Sequence, residues 1–119
     1  AERALRAGVD AIVVSNHGGR VLDGVPATAT LLPAIADAVG NDAEVLVDGG
    51  IRSGLDVFRA LALGANGCLV CRPFVVAIFG GGEQGARDYL RQLAGELSDA
   101  MEMCGAATVA GIRPDMLYR

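Results

Sequence analysis

Ser15-Asn16-His17-Gly18-Gly19-Arg20 holds the only histidine of the chain, with a guanidinium three residues further on. An imidazole with an ordinary pKa of about 6.5 is suited to take up a proton near neutral pH. An arginine fork binds a carboxylate through two parallel hydrogen bonds. Together His17 and Arg20 read as a base and a carboxylate clamp acting on one small molecule.

Two further stretches have the residue types of an anion site. In Asp48-Gly49-Gly50-Ile51-Arg52-Ser53-Gly54 the glycines let backbone N–H groups approach a ligand, and a helix is expected to start at once, its positive end aimed at the same place. Arg52 adds a fork suited to phosphate. Asp48 would repel a phosphate, so its expected task is to accept hydrogen bonds from ligand hydroxyls. In Cys71-Arg72-Pro73-Phe74 the proline suits the first turn of a helix, which sets Arg72 at a helix entrance next to the first anion site. Each stretch has a plainer reading, as a glycine turn with a capping aspartate or an arginine bridging two helices. Their occurrence together is the more specific signal.

The elements that must position these residues follow from apolar periodicity. Ala1–Ala7 reads as a helix closed by Gly8, and the strand that should precede it is expected to lie upstream. Ala11–Ser15 reads as a buried strand. Pro26–Val39 is expected to be helical in its second part, with Thr28 or Thr30 as N-cap and Pro33 in the first turn. Glu44–Asp48 is the second strand, and Ser53 with Asp56 has capping-box spacing for a helix closed by Gly64, with Val57 and Leu61 on its apolar face. Gly67–Cys71 is the third strand. A break at Gly80-Gly81-Gly82 precedes a long helix to Met103, capped by Gly105, whose stripe of Tyr89 or Leu90, Leu93, Leu97, Met101 and Cys104 reads as core. Strands separated by crossover helices make right-handed βαβ units, which fit either a doubly wound sheet or an arc of a (β/α)8 barrel. Both architectures place function at the C-terminal strand ends, where all three stretches lie.

Composition narrows the function. Of 119 residues 52% are hydrophobic and 4% aromatic, with 17 glycines, as in a parallel α/β protein. The net charge of −4 gives no attraction to nucleic acid or an anionic membrane. All ten basic residues are arginine, so no Schiff-base or phosphate-binding lysine comes from this stretch. Three cysteines do not make a disulfide framework, and a reducing, cytoplasmic setting is expected. Cys68 and Cys71 match C-x-x-C, yet in a strand they would face opposite sides roughly 10 Å apart, beyond the ~7 Å a disulfide spans. The longest apolar run, Pro73–Phe79, is too short for a membrane span.

The stretches Ser15–Arg20, Asp23, Val25–Thr28, Asp48–Val57 and Ala60–Ala65, in this order and spacing, resemble the FMN-dependent α-hydroxy-acid oxidases and dehydrogenases, a family that includes glycolate oxidase, lactate oxidase and mandelate dehydrogenase. The resemblance covers essentially the whole chain. Ser-Asn-His-Gly-Gly-Arg is its specific part, since Gly-Gly-Arg also occurs in other phosphate-binding barrels. It implies an enzyme: a C-terminal portion (residues 1–119, about strands 6–8) of one (β/α)8 TIM-barrel domain, binding FMN and oxidising a small L-2-hydroxy acid to the 2-oxo acid. His17 would be the base, and Arg20, with His17, would bind substrate. Asp48, Gly49, Gly50 and Arg52 would contact the ribityl chain and phosphate of FMN, and Cys71 and Arg72 the phosphate. The family usually has glycine where Cys71 stands, so the Cys71 side chain must point away from the phosphate. The family's flavin-proximal lysine, the aspartate paired with its histidine and its substrate-binding tyrosines would come from other strands, and a homo-oligomer is expected of the full-length protein.

Two alternatives remain at this point. One is another FMN- or phosphate-binding barrel, such as a type 2 isopentenyl-diphosphate isomerase, which has the phosphate loops but no reason to keep His17 with Arg20. The other is a non-catalytic half-barrel that self-associates through its strand edges.

Overall fold

A computed structural model describes residues 1–118. Its regular elements are α1 (Glu2–Arg6), β1 (Ala11–Val14), α2 (Thr28–Val39), β2 (Glu44–Val47), α3 (Gly54–Ala62), β3 (Gly67–Cys68) and α4 (Arg72–Cys104). Short 3-10 turns occupy His17–Gly19, Val109–Gly111 and Pro114–Met116. The three strands form one parallel sheet in the order β1-β2-β3, with Val14 opposite Val47 and Val47 opposite Cys68. Sequential neighbours joined by helices are what both expected architectures share. All three strands point their C-terminal ends the same way, which gathers the three polar stretches along one rim.

The core lies between the sheet and its helices. Val14, Val45 and Val47 pack with Leu32 and Val39 of α2 and Ala60 of α3, and Ile12 packs against this cluster. Each fully buried aliphatic side chain contributes about 2 kcal/mol. Side chains alternate across a strand, so Ile12 and Val14 share the helix-covered face while Val13 turns to the other side and is 47% exposed. Within this chain the described helices cover only one face of β1.

Three local expectations change. Thr28 is not the N-cap of α2, nor is Thr30; Ala27 is, without a side-chain cap. The Thr28 hydroxyl is instead engaged across the rim with the Asp48 carbonyl. Pro33 lies inside the helix rather than in its first turn, so α2 lacks one i→i−4 hydrogen bond. β3 ends at Cys68 instead of Cys71, because Leu69 N–H makes the last bond to Val47 O (2.8 Å) before β2 turns away at Gly49. Helical structure resumes at Arg72 and runs to Cys104, interrupted where the glycine break was expected, at Gly82 (φ 57°, ψ −141°), a conformation open to glycine.

The second arm of α4 packs along α3, and its apolar stripe selects Tyr89 over Leu90: Leu93 is buried and Leu97 and Met101 are half-buried, while Leu90 and Cys104 are exposed. On α3 the largest fully buried side chain is Phe58, next to the Val57 expected there. The Ser53–Asp56 capping box forms in both directions.

Candidate active site

The loop after β1 is built on consecutive left-handed residues. His17 has φ 54°, Gly18 φ 66° and Gly19 φ 72°. The two glycines adopt this region freely, but His17 gives up roughly 1–2 kcal/mol by doing so. Side chains from its own loop hold it there: His17 N–H donates to Ser15 Oγ (3.2 Å) and Gly18 N–H to Asn16 Oδ1 (2.9 Å), while Asn16 Nδ2 donates to Pro26 O (3.3 Å). A strained non-glycine residue held by its surroundings is a mark of a functional position. The imidazole is exposed at the rim.

The loop after β2 is fastened to the first one. Ser15 Oγ donates to Asp48 Oδ2 (2.8 Å), and the buried Thr28 donates its hydroxyl to Asp48 O (2.7 Å). Asp48 Oδ1 is buried without a hydrogen-bond donor among the described residues. Gly49 (φ 88°) passes so close that a Cβ there would stand 3.2 Å from Thr28 Oγ1 and 3.4 Å from Asn16 Oδ1.

The start of α3 does not present the open positive end expected from its sequence. Asp56 Oδ2 accepts from the backbone N–H groups of Arg52 and Ser53 (both 3.1 Å), and Glu96 Oε2, from α4, accepts from Gly54 N–H (2.7 Å). These carboxylates satisfy the first-turn donors that would otherwise bind an anion. Hydrogen bonds from the Gln92 side chain and the Gly54 amide hold Glu96 below its ordinary carboxylate pKa. Tyr89, stacked edge-on against Phe74, donates its hydroxyl to Arg52 O (2.8 Å) and ties the same turn to α4. What the turn offers to a ligand is therefore its glycine amides and the Arg52 side chain.

The third loop brings Arg72 over the first. Its Nη2 stands 3.3 Å from the position of a Cβ on Gly18. The Cys68 thiol, pushed up to about 11 by burial, stays protonated at neutral pH and is no nucleophile.

The three loops enclose one open cleft of about 650 Å³, lined by His17, Arg20, Asp48, Gly49, Gly50, Arg52, Cys71 and Arg72 together with Gly18, Pro73 and apolar side chains such as Ile51, Leu69 and Val76. Every candidate site residue named from the sequence is in that lining. Charge singles out the same place. Ion pairs engage Arg6, Arg59, Arg87, Arg91 and Arg113, all away from the cleft. Among the described residues Arg3, Arg20, Arg52 and Arg72 have no such partner, and the last three line it. Three uncompensated guanidiniums around one cleft, in a chain of net charge −4, suit a ligand with more than one anionic group.

The sequence pattern of the FMN-dependent dehydrogenases matches residues 1–119. The chain belongs to this family. It is 54% identical to an L-lactate oxidase of Roseobacter sp. (strain GAI101) over 98% of its own length and 32% of that protein. It is 53% identical to an L-lactate dehydrogenase of Pectobacterium atrosepticum over all of its length and 31% of that protein. A mandelate oxidase crystallised with benzoyl-formic acid superimposes with a TM-score of 0.92 at 50% identity, covering 94% of this chain and 33% of that one. The chain thus spans about a third of the length of the relatives it matches.

In this FMN-dependent dehydrogenase chain the supporting residues were less visible in the sequence than the lining. Ser15 and Asn16 stand in the quoted motif, but nothing in their types assigns them to Asp48 and Gly18. Thr28 reads locally as a cap. Tyr89 and Glu96 read as a core position and a solvated charge on a long helix, and nothing short of the α3–α4 packing reveals their bonds to Arg52 and Gly54.

Proposed function

We propose that this chain forms the C-terminal arc, about strands 6–8, of a (β/α)8 barrel and supplies one wall of the site at which the whole protein oxidises a small L-2-hydroxy acid to its 2-oxo acid with FMN. The observation that carries the reading is the cleft itself: a histidine, three arginines without ion-pair partners and an aspartate converge there from three separate strand ends.

The cleft fits FMN. Asp48 Oδ1 is an acceptor without a donor, suited to a ribityl hydroxyl. Gly49 and Gly50 give a bare backbone approach, and Arg52 and Arg72 stand where a phosphate dianion would be compensated. FMN, when bound, supplies the acceptor for two electrons. The chain's own residues do the rest: Arg20 pairs with the substrate carboxylate and fixes which face of the α-carbon is offered, and the His17 imidazole, exposed on the same loop, takes the substrate proton. Cys71 closes the phosphate end with its backbone, where it forms the N-cap of α4.

The test is spectroscopic. The purified whole protein is expected to be yellow and to bleach under anaerobic conditions on addition of an L-2-hydroxy acid such as L-lactate. Protein without flavin, and unable to take it up, would overturn the reading. Replacing Arg20 with Met is expected to raise KM for the hydroxy acid about thirtyfold, the loss of a charge-assisted hydrogen-bonded pair. An unchanged KM would favour a phosphate-binding barrel of other chemistry.

A further inference from the structure

We propose that Tyr89, which does not line the cleft, is a positioning residue that sets the gap between the Arg52 and Arg72 guanidiniums for the phosphate of FMN; the inference rests on the FMN reading above. The two arginines reach the cleft from different elements, Arg52 from the turn before α3 and Arg72 from the first residue of α4. Neither has an ion-pair partner among the described residues. Like charges facing one empty cleft repel each other, so their backbones must be held by other means if the pair is to be ready for a dianion.

Tyr89, on the second arm of α4, touches both carriers. Its hydroxyl donates to Arg52 O at 2.8 Å. Its ring stands edge-on to Phe74, two residues beyond Arg72, with centroids 4.9 Å apart. The Arg52 N–H is bound as well, by Asp56 Oδ2 at 3.1 Å, but that bond stays within the start of α3 and moves with it. Tyr89 adds the tie from this turn to α4. The first arm of α4 needs such a tie, because helical geometry is broken at Gly82 (φ 57°, ψ −141°) and continuity does not fix its direction. It folds back on the second arm at two places: at Gly85, where a Cβ would run into Ala77 O, and at the Phe74–Tyr89 pair. The glycine contact lies close to the hinge. The aromatic pair lies far from it, beside Arg72, and has the longer lever on that guanidinium.

The experiment titrates the whole apoprotein with FMN and follows quenching of flavin fluorescence. Tyr89→Phe removes the hydroxyl and keeps the ring on Phe74. It is expected to raise the FMN Kd about fivefold, the effect of one hydrogen bond. Phe74→Leu keeps the hydroxyl and removes the aromatic pair, and is expected to raise Kd about threefold. In an Arg52→Met background Tyr89→Phe is expected to change Kd less than about twofold, since no guanidinium is left to place there. The Kd for riboflavin, which lacks the phosphate, is expected to be the same in wild type and Tyr89→Phe. A merely structural role would cost as much in the Arg52→Met background and would weaken both flavins alike. An unchanged FMN Kd in Tyr89→Phe, or an equal penalty with and without Arg52, overturns the inference. Wild-type apoprotein that takes up no FMN overturns the underlying reading and this one with it.

Discussion

If the proposed function holds, His17→Asn in the whole protein is expected to lower kcat/KM for an L-2-hydroxy acid by about a thousandfold and to leave the flavin spectrum in place. The choice of Asn matters. His17 has φ 54°, and a substitute that rejects the left-handed region would shift the Ser15 and Asn16 bonds and disturb Asp48 with them. Asn enters that region more readily than other side chains, so the backbone stays and the base is removed. A base contributes roughly 10²–10⁴-fold when it meets its proton in good geometry, and Arg20 on the same loop, as the proposed carboxylate clamp, would supply that geometry. The measurement is steady-state kinetics beside an absorption spectrum of the purified variant. A loss below tenfold with FMN fully bound would remove His17 from the proton transfer.

The lining of this site was legible in the sequence because it is written in short local patterns. Gly18, Gly19, Gly49 and Gly50 mark positive-φ turns, and the apolar runs before them mark the strands that bring those turns to one rim. The cleft accordingly contains each residue singled out from its stretch. The misreadings share a cause: they concern groups whose partner lies far along the chain. Thr28 and Thr30 read as caps because a hydroxyl before an apolar helix usually is one, and the acceptor that wins Thr28, Asp48 O, is twenty residues on. The open end assigned to α3 is filled by Glu96, forty-two residues away on α4. The last residues assigned to β3 leave the sheet because β2, their neighbour, has already turned at its glycines. Local pattern carries the lining of the cleft, and long-range packing decides which backbone groups remain free along it.

That packing can be tested at one atom. Gly54 opens α3 where the second arm of α4 crosses it, and a Cβ there would run into the α4 backbone at Leu93 O and Leu97 N as well as the Glu96 side chain. Backbone cannot swing aside as a flexible side chain can, so Gly54→Ala forces the two helices apart. The separation would withdraw Glu96 from Gly54 N–H and Tyr89 from Arg52 O, the two bonds that fasten the Arg52 turn to α4. Gly54→Ala is expected to destabilise the protein by about 3 kcal/mol, the upper part of the usual range for overpacking, and to weaken FMN binding as Arg52 loses its fixed place. Gly95→Ala is the control. It lies in α4 with nothing within 4 Å of an added Cβ, and there alanine's better helix propensity is expected to give an unchanged or slightly higher Tm. Thermal melts of the two variants, each with an FMN titration, separate the alternatives: equal Tm values would mean that the close α3–α4 approach at Gly54 does not hold the phosphate end of the site.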